Sequence, residues 1–222
     1  MEIRIVLVAT LAFIAPGLLH RDEAPQLEEA TESIGSARFP NRRLVTVAVL
    51  AAAGATAMAI ETVNGDWATF RLGDDLGARP GVAGLGFLVF TAGMMIGRLG
   101  GDFVQVRTGA DRLVRAACVV IAAGTVLATL IPSVPVAVAG FLVAGLGTSV
   151  LFPQLYDRAA RTPGPAGSGF ASMLLGQRGA AVVAPALIGV LADTSALGVG
   201  QAMAIVVLPC TAIIALTTFA RL

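Results

Sequence analysis

The 222-residue chain is 56% hydrophobic and only 13% charged, with a net charge of +1 and a mean hydropathy of +0.85. Soluble domains average about 45–50% apolar and about 25% charged residues, so this chain has too few polar side chains to cover a water-facing surface. The near-neutral balance also excludes a basic surface for nucleic acid.

Crossing a bilayer as a helix takes about 20 predominantly apolar residues. Seven segments qualify: roughly 3–19, 44–63, 81–100, 114–131, 134–155, 168–192 and 199–220. They predict an all-α membrane protein with about seven transmembrane helices. In hydrocarbon every backbone N–H and C=O needs an internal partner, which long helices provide. Barrel strands, about ten residues of alternating pattern, do not match these runs.

The first segment, 1–19, reads as a transmembrane helix. A signal peptide is the alternative, but Glu2 spoils a basic start and Pro16 to Arg21 hold no small-residue cleavage site. Residues 20–43 carry Arg21, Arg38, Arg42 and Arg43 among five acidic residues, and predict a polar linker. Residues 44–222 then hold six spans. The connections 101–113 and 156–167 are charged, whereas 132–133 and 193–198 carry no Arg. Every cationic residue is Arg. Eleven of the fifteen fall on one side of the predicted membrane and three on the other, with Arg178 inside a span. Arginine-rich ends stay in the cytoplasm. This predicts a multi-pass cell-membrane protein, N-terminus outside and C-terminus inside.

Within the spans, polar residues are few and therefore informative. Glu61 lies deep in the 44–63 segment, where a cavity-facing role is expected of it. Asn64 and Gly65 can unwind the helix end, and unwound backbone offers free polar groups at a cavity. Asp66 and Trp67 follow, readable either as part of that cavity or as an interfacial helix end with Trp67 in the aromatic belt. Gly93, Gly97 and Gly101 recur every four residues, a bare strip on which a second helix can approach closely. Arg98 and Asp102 share a face by the same spacing, with Arg107 and Arg112 expected in the loop beyond. Pro153 should kink or end its helix. Arg178 sits within a span, where a charge costs at least about 2.5–3.5 kcal/mol. It either faces a partner such as Glu61 or a wet cavity, or snorkels from a later helix start.

Several of these stretches together resemble the C-terminal part of a major facilitator superfamily (MFS) transporter. Gly97, Leu99, Asp102, Gly109 and Arg112 are similar to the signature between paired helices of that family, with extra residues after Asp102. Glu61 to Trp67 resembles the outer end of the seventh helix, with its glycine displaced. Gly145, Gly147, Phe152 and Pro153 resemble elements of the tenth helix, and Pro185 with Gly189 those of the eleventh. The resemblance implies that residues 1–19 correspond to the sixth of twelve helices and 20–43 to the central cytoplasmic linker. Residues 44–222 then correspond to the C-terminal six-helix bundle. It implies a gating role for Arg98, Asp102 and Arg107, in a motif with Gly97, Gly109 and Arg112. A substrate or ion path would involve Glu61, Asn64, Asp66, Trp67 and Arg178, with Glu61 or Asp66 as the proton-linked acid. The expected function is secondary active transport of a small solute by a truncated or half-sized unit. A missing N-terminal half or a second copy would complete it. The alternative is a non-transporting remnant or scaffold subunit.

No phosphate-binding G-x-x-x-x-G-K-[ST] loop occurs, so no ATPase is expected in this chain. The single His, His20, has no metal-ligand cluster around it, and no nucleophile, base and acid fall at one membrane depth. Neither an enzyme nor a cofactor is therefore expected. Cys118 and Cys210 lie in apolar runs and read as inert buried thiols.

Overall fold

The computed structural model describes residues 41–162, 167–194 and 197–217. The predicted span 3–19 and the predicted linker up to residue 40 lie outside them. The chain forms α1 (Asn41–Asp66), α2 (Ala68–Phe70), a π-helical turn (Arg71–Asp75), α3 (Pro80–Ala83), α4 (Leu85–Thr108) and α5 (Ala110–Leu130). It continues with α6 (Val134–Thr148), α7 (Leu151–Arg161), α8 (Ser168–Thr194) and α9 (Val199–Thr217). There is no strand among the described residues. Among the described residues, six stretches are long and apolar enough to cross a membrane: Leu44–Asp75, Pro80–Gly101, Ala110–Leu130, Val134–Arg161, Ser168–Asp193 and Val199–Thr217.

Three boundaries differ from the sequence expectation. The helix stays wound through Asn64 and Gly65, because the Asn64 Nδ2 donates to its own Ile60 carbonyl (3.0 Å) and so supports the helical turn. The backbone widens later, in the π-turn of Arg71 to Asp75. The 101–113 segment is not a loop. Helix continues to Thr108 and resumes at Ala110, so that Arg107 and Arg112 are helical and Gly109 alone turns the chain, at φ +82°. A side chain would strain that conformation. Finally, the 134–155 span breaks at Ser149–Val150. Pro153 has no N–H to donate to the Ser149 carbonyl, and its ring collides with that position, so the break falls four residues ahead of the proline.

Packing centres on α6, which lies against α5 on one side and α4 on another, while α9 packs on α5. Glycines let these helices meet backbone to backbone. A Cβ on Gly93 would strike the Leu142 carbonyl of α6, and one on Gly145 would strike the Phe90 carbonyl of α4. Gly124 and Gly140 do the same for α5 and α6, against Ala144 and Ala128 respectively. Without a hydrophobic drive between helices in lipid, such close contact supplies the dispersion energy that holds them. The predicted strip of Gly93, Gly97 and Gly101 thus faces α6, with Gly97 against Ser149 and Gly101 against Val150. Phe90, Phe141, Ile121, Ile60 and Met203 fill the core. Leu99, Val106, Leu175 and Val182 are exposed, as befits surfaces facing lipid or another protein.

Candidate functional site

Three groups of polar side chains among the described residues bear on a candidate site. The first surrounds Glu61. Gly65 of α1 lies against the Phe90 ring of α4. Glu61 is one helical turn before Gly65, and Arg98 is two turns beyond Phe90 across the hairpin. Side chains of a helix lean toward its N-terminus, which brings the long Arg98 back toward Glu61. Arg98 and Asp66 are near enough for their charges to be felt at Glu61, but no salt bridge joins Arg98 to Glu61. Glu61 is half-buried, and Asp66 and Arg98 are exposed. Here the carboxylate can take up and release a proton, while the guanidinium stays charged and can hold either the carboxylate or another anion.

The other expected path residues separate from this pair. Asn64 is fully buried and turned toward α5, where its Oδ1 accepts from the Thr125 hydroxyl (3.3 Å). Trp67 is half-buried and stacks at 5.1 Å on Phe70, with its ring edge toward Gly189 of α8. Arg178 is exposed on α8 and, among the described residues, forms no ion pair with Glu61. Its neighbour Gln177 takes the inward-facing position one hundred degrees round the helix. Of the expected gating residues, Gly97 faces α6, and Arg107 is exposed and covers the Phe103 ring at 3.7 Å. Gly109 makes the turn and Arg112 is exposed. Asp102 belongs to α4, and its side chain lies outside the described set.

The charged end of the bundle is tied instead by Arg158 of α7 and Asp111 of α5. This bridge puts segments 107–112 and 157–161 at one end. Both side chains keep solvent access, 30% and 63%, and exposed pairs are worth about 0–1 kcal/mol. Arg158→Ala should therefore shift the unfolding midpoint in a detergent melt by less than about 1 kcal/mol. A larger loss would mean the pair is shielded by something else.

The second group went unseen in the sequence. Arg71, 8% exposed, donates its Nε to the Ala128 carbonyl (3.2 Å) and an Nη to the Ile131 carbonyl (3.2 Å) at the end of α5. Its other Nη donates to Asp75 at 2.9 Å. Asp75 in turn accepts from the backbone N–H groups of Val199 (3.0 Å) and Gly200 (2.7 Å), at the start of α9. A cation thus sits on a helix C-terminus and an anion on a helix N-terminus, both favoured by the helix dipole. Any side chain at Gly198 would crowd Asp75, and one at Gly200 would crowd Arg71. The sequence signal was the i,i+4 spacing of Arg71 and Asp75; their partners lie too far along the chain to be inferred. The third group joins Phe152, Tyr156 and Phe170 to Gln177.

Apolar membrane-length helices, glycine-mediated crossings and a few satisfied intramembrane charges define a polytopic α-helical membrane protein. By sequence the chain is similar, over part of their length, to proteins named as transporters, one of them MFS-type. It is 32% identical over 158 residues to the uncharacterized transporter y4wD of Sinorhizobium fredii, a match covering 71% of this chain and 41% of that protein. It is 33% identical to an uncharacterized MFS-type transporter of Yersinia pestis, over 60% of this chain and 35% of that one. A match of 33% to membrane protein MosC of Rhizobium meliloti covers 57% and 31%. The chain therefore spans between about a third and two fifths of the length of these curated relatives. No family model matches the chain, and no solved structure matches it.

Proposed function

We propose that this chain is part of a secondary active transporter that moves a small solute across the cell membrane at the expense of an ion gradient. Glu61 would be the proton-carrying group, Arg98 its counter-charge and Asp66 a second acid on the same route. The observation that carries this reading is a carboxylate set in an apolar membrane helix with a guanidinium of the adjacent helix acting on it. Such intramembrane charges are costly and mark ion or substrate pathways. Kinship with proteins named as transporters supports it. The six described spans would form one wall of the path, completed by a missing N-terminal half or a second copy of the chain. The arginine-rich end, with the C-terminus, would face the cytoplasm and the N-terminus the outside. Arg98, Asp102 and Arg107, in a motif with Gly97, Gly109 and Arg112, would gate the cytoplasmic end. Asn64 would support the path from behind, and Trp67 and Arg178 would border it. No covalent chemistry and no cofactor enter this reading.

The test is uptake into proteoliposomes under an imposed pH gradient, across a broad panel of sugars, organic anions and uncharged aromatics, with the chain alone and with any second half. Uptake should occur, and Glu61→Gln should reduce gradient-driven uptake by on the order of tenfold or more, while Glu61→Asp retains part of it. No flux with the complete assembly would leave a non-transporting scaffold. Undiminished flux in Glu61→Gln would remove Glu61 from the coupling role.

A further inference from the structure

The third polar group is unexplained by proton coupling. Gln177 on α8 is only 8% exposed, and its Nε2 has no hydrogen-bond partner among the described residues. Its Oε1 accepts a long bond from the Tyr156 hydroxyl of α7, 3.4 Å. An unsatisfied buried amide costs about 1–3 kcal/mol, so its place beside Tyr156 calls for an occupant. Swapping the amide oxygen and nitrogen does not remove the problem, since the other half would then be left without a partner.

The surroundings say what kind of occupant. Tyr156 lies between Phe152 and Phe170, with ring centroids at 6.0 and 5.3 Å. Phe152 and Tyr156 are half-buried and Phe170 is 42% exposed, so the aromatic row leads from the buried Gln177 to the surface. Three elements converge here. The backbones of α7 and α8 meet at Ala159 and Gly169, and α1 abuts the same part of α8 through Ala51 and Gly176. The nearby charges among the described residues are engaged elsewhere or point away. Asp157 pairs with Arg161, Arg158 with Asp111, and Arg178 is exposed on another face of α8. A charged guest would lose its hydration without gaining a counter-ion.

From this arrangement we infer that Tyr156, Phe152, Phe170 and Gln177 form a binding site for an uncharged aromatic solute bearing a hydrogen-bonding carbonyl or amide group. The ring of the guest stacks on the aromatic row, and its polar group meets the free half of the Gln177 amide. The inference rests on the transporter reading only for its purpose, since it names the solute class; the site itself can be tested by binding.

Tyr156 is the single tyrosine of the chain, so 3-fluorotyrosine labelling of the full chain in nanodiscs gives one fluorine resonance, located at the site. N-methylbenzamide should move this resonance saturably, and benzoate at equal concentration should not. Gln177→Leu should weaken the response about five- to tenfold, the equivalent of one lost hydrogen bond. A response that does not saturate, one unchanged in Gln177→Leu, or equal binding of benzoate overturns the proposal. Where Gln177→Leu fails to fold, Phe170→Leu on the exposed edge replaces it, with a several-fold loss expected and no loss counting against the site. Saturable binding in a complete assembly that shows no gradient-driven flux supports the site and removes the transporter reading. Flux undiminished in Gln177→Leu, with no binding of the amide, overturns the site and leaves that reading in place.

Discussion

Asp75→Ala should cost about 3–5 kcal/mol of stability, the range for removing one partner of a buried ion pair, and it should do so from a position remote from Glu61. The substitution strips the cap from α9 and leaves the Arg71 guanidinium, 8% exposed, without its counter-charge. Asp75→Asn keeps an oxygen for one N–H of α9 but loses the ion pair, so its cost should be intermediate. Removing both charges in Arg71→Ala with Asp75→Ala should be less damaging than the sum of the single changes, because no isolated charge remains. The measurement is the unfolding free energy of the parent, Asp75→Ala, Asp75→Asn, Arg71→Ala and the double variant on titration with a denaturing detergent. A value for Asp75→Ala within about 0.5 kcal/mol of the parent would show that the clamp contributes nothing. The physical reason for a large effect is that one pair joins three elements: the end of the first span, the C-terminus of α5 and the N-terminus of α9.

Two glycines of similar appearance in the sequence should respond with opposite signs. Gly145→Ala places a methyl group against the Phe90 carbonyl, so α4 and α6 must separate; overpacking of this kind costs about 1–3 kcal/mol or more. Gly100→Ala meets nothing within 4 Å and lies inside α4, where alanine is favoured over glycine by about 0.5–1 kcal/mol. The first variant should lower the yield of monodisperse protein and its melting point, and the second should hold or raise both. Equal responses would mean that the α4–α6 crossing is not set by backbone contact. The effect propagates because α6 also carries the contact to α5, so a parted crossing disturbs three of the spans.

Much of the architecture was legible because it follows from transfer free energy. Leu44 to Asp75, Val134 to Arg161 and the other spans are recognised by length and apolarity alone, with no knowledge of their neighbours. Gly93, Gly97 and Gly101 announced a close helix contact by their spacing, although not that α6 makes it. The break before Pro153 followed from a missing N–H, and its placement at Ser149–Val150 needed only the hydrogen-bond register. Less legible was the 101–113 segment, whose charges suggested a loop. Helix there persists because the end of a membrane helix can extend into water while its side chains are solvated, so charge marks the membrane boundary and not the helix boundary.

The candidate site divides in the same way. Glu61 and Arg178 stood out as charges in apolar runs, a matter of local composition, whereas Arg98 was read with the charged helix end. That Arg98, and not Arg178, acts on Glu61 depended on the register of α1 against α4, fixed by Gly65 meeting Phe90. Asn64 looked like a helix breaker beside Gly65, yet its amide turned inward to Thr125.

The sequence by itself determined the solvent this chain is built for, the number of crossings between residues 44 and 222, and the few intramembrane groups available for chemistry. These depend on each residue's own hydrophobicity and backbone freedom, summed over a local window. Only the tertiary structure decided that Arg71 and Asp75 bind the ends of helices up to 125 residues away, and that Gln177 meets Tyr156. Those contacts arise from the rotation and register of packed helices, which in an all-apolar span no local pattern encodes.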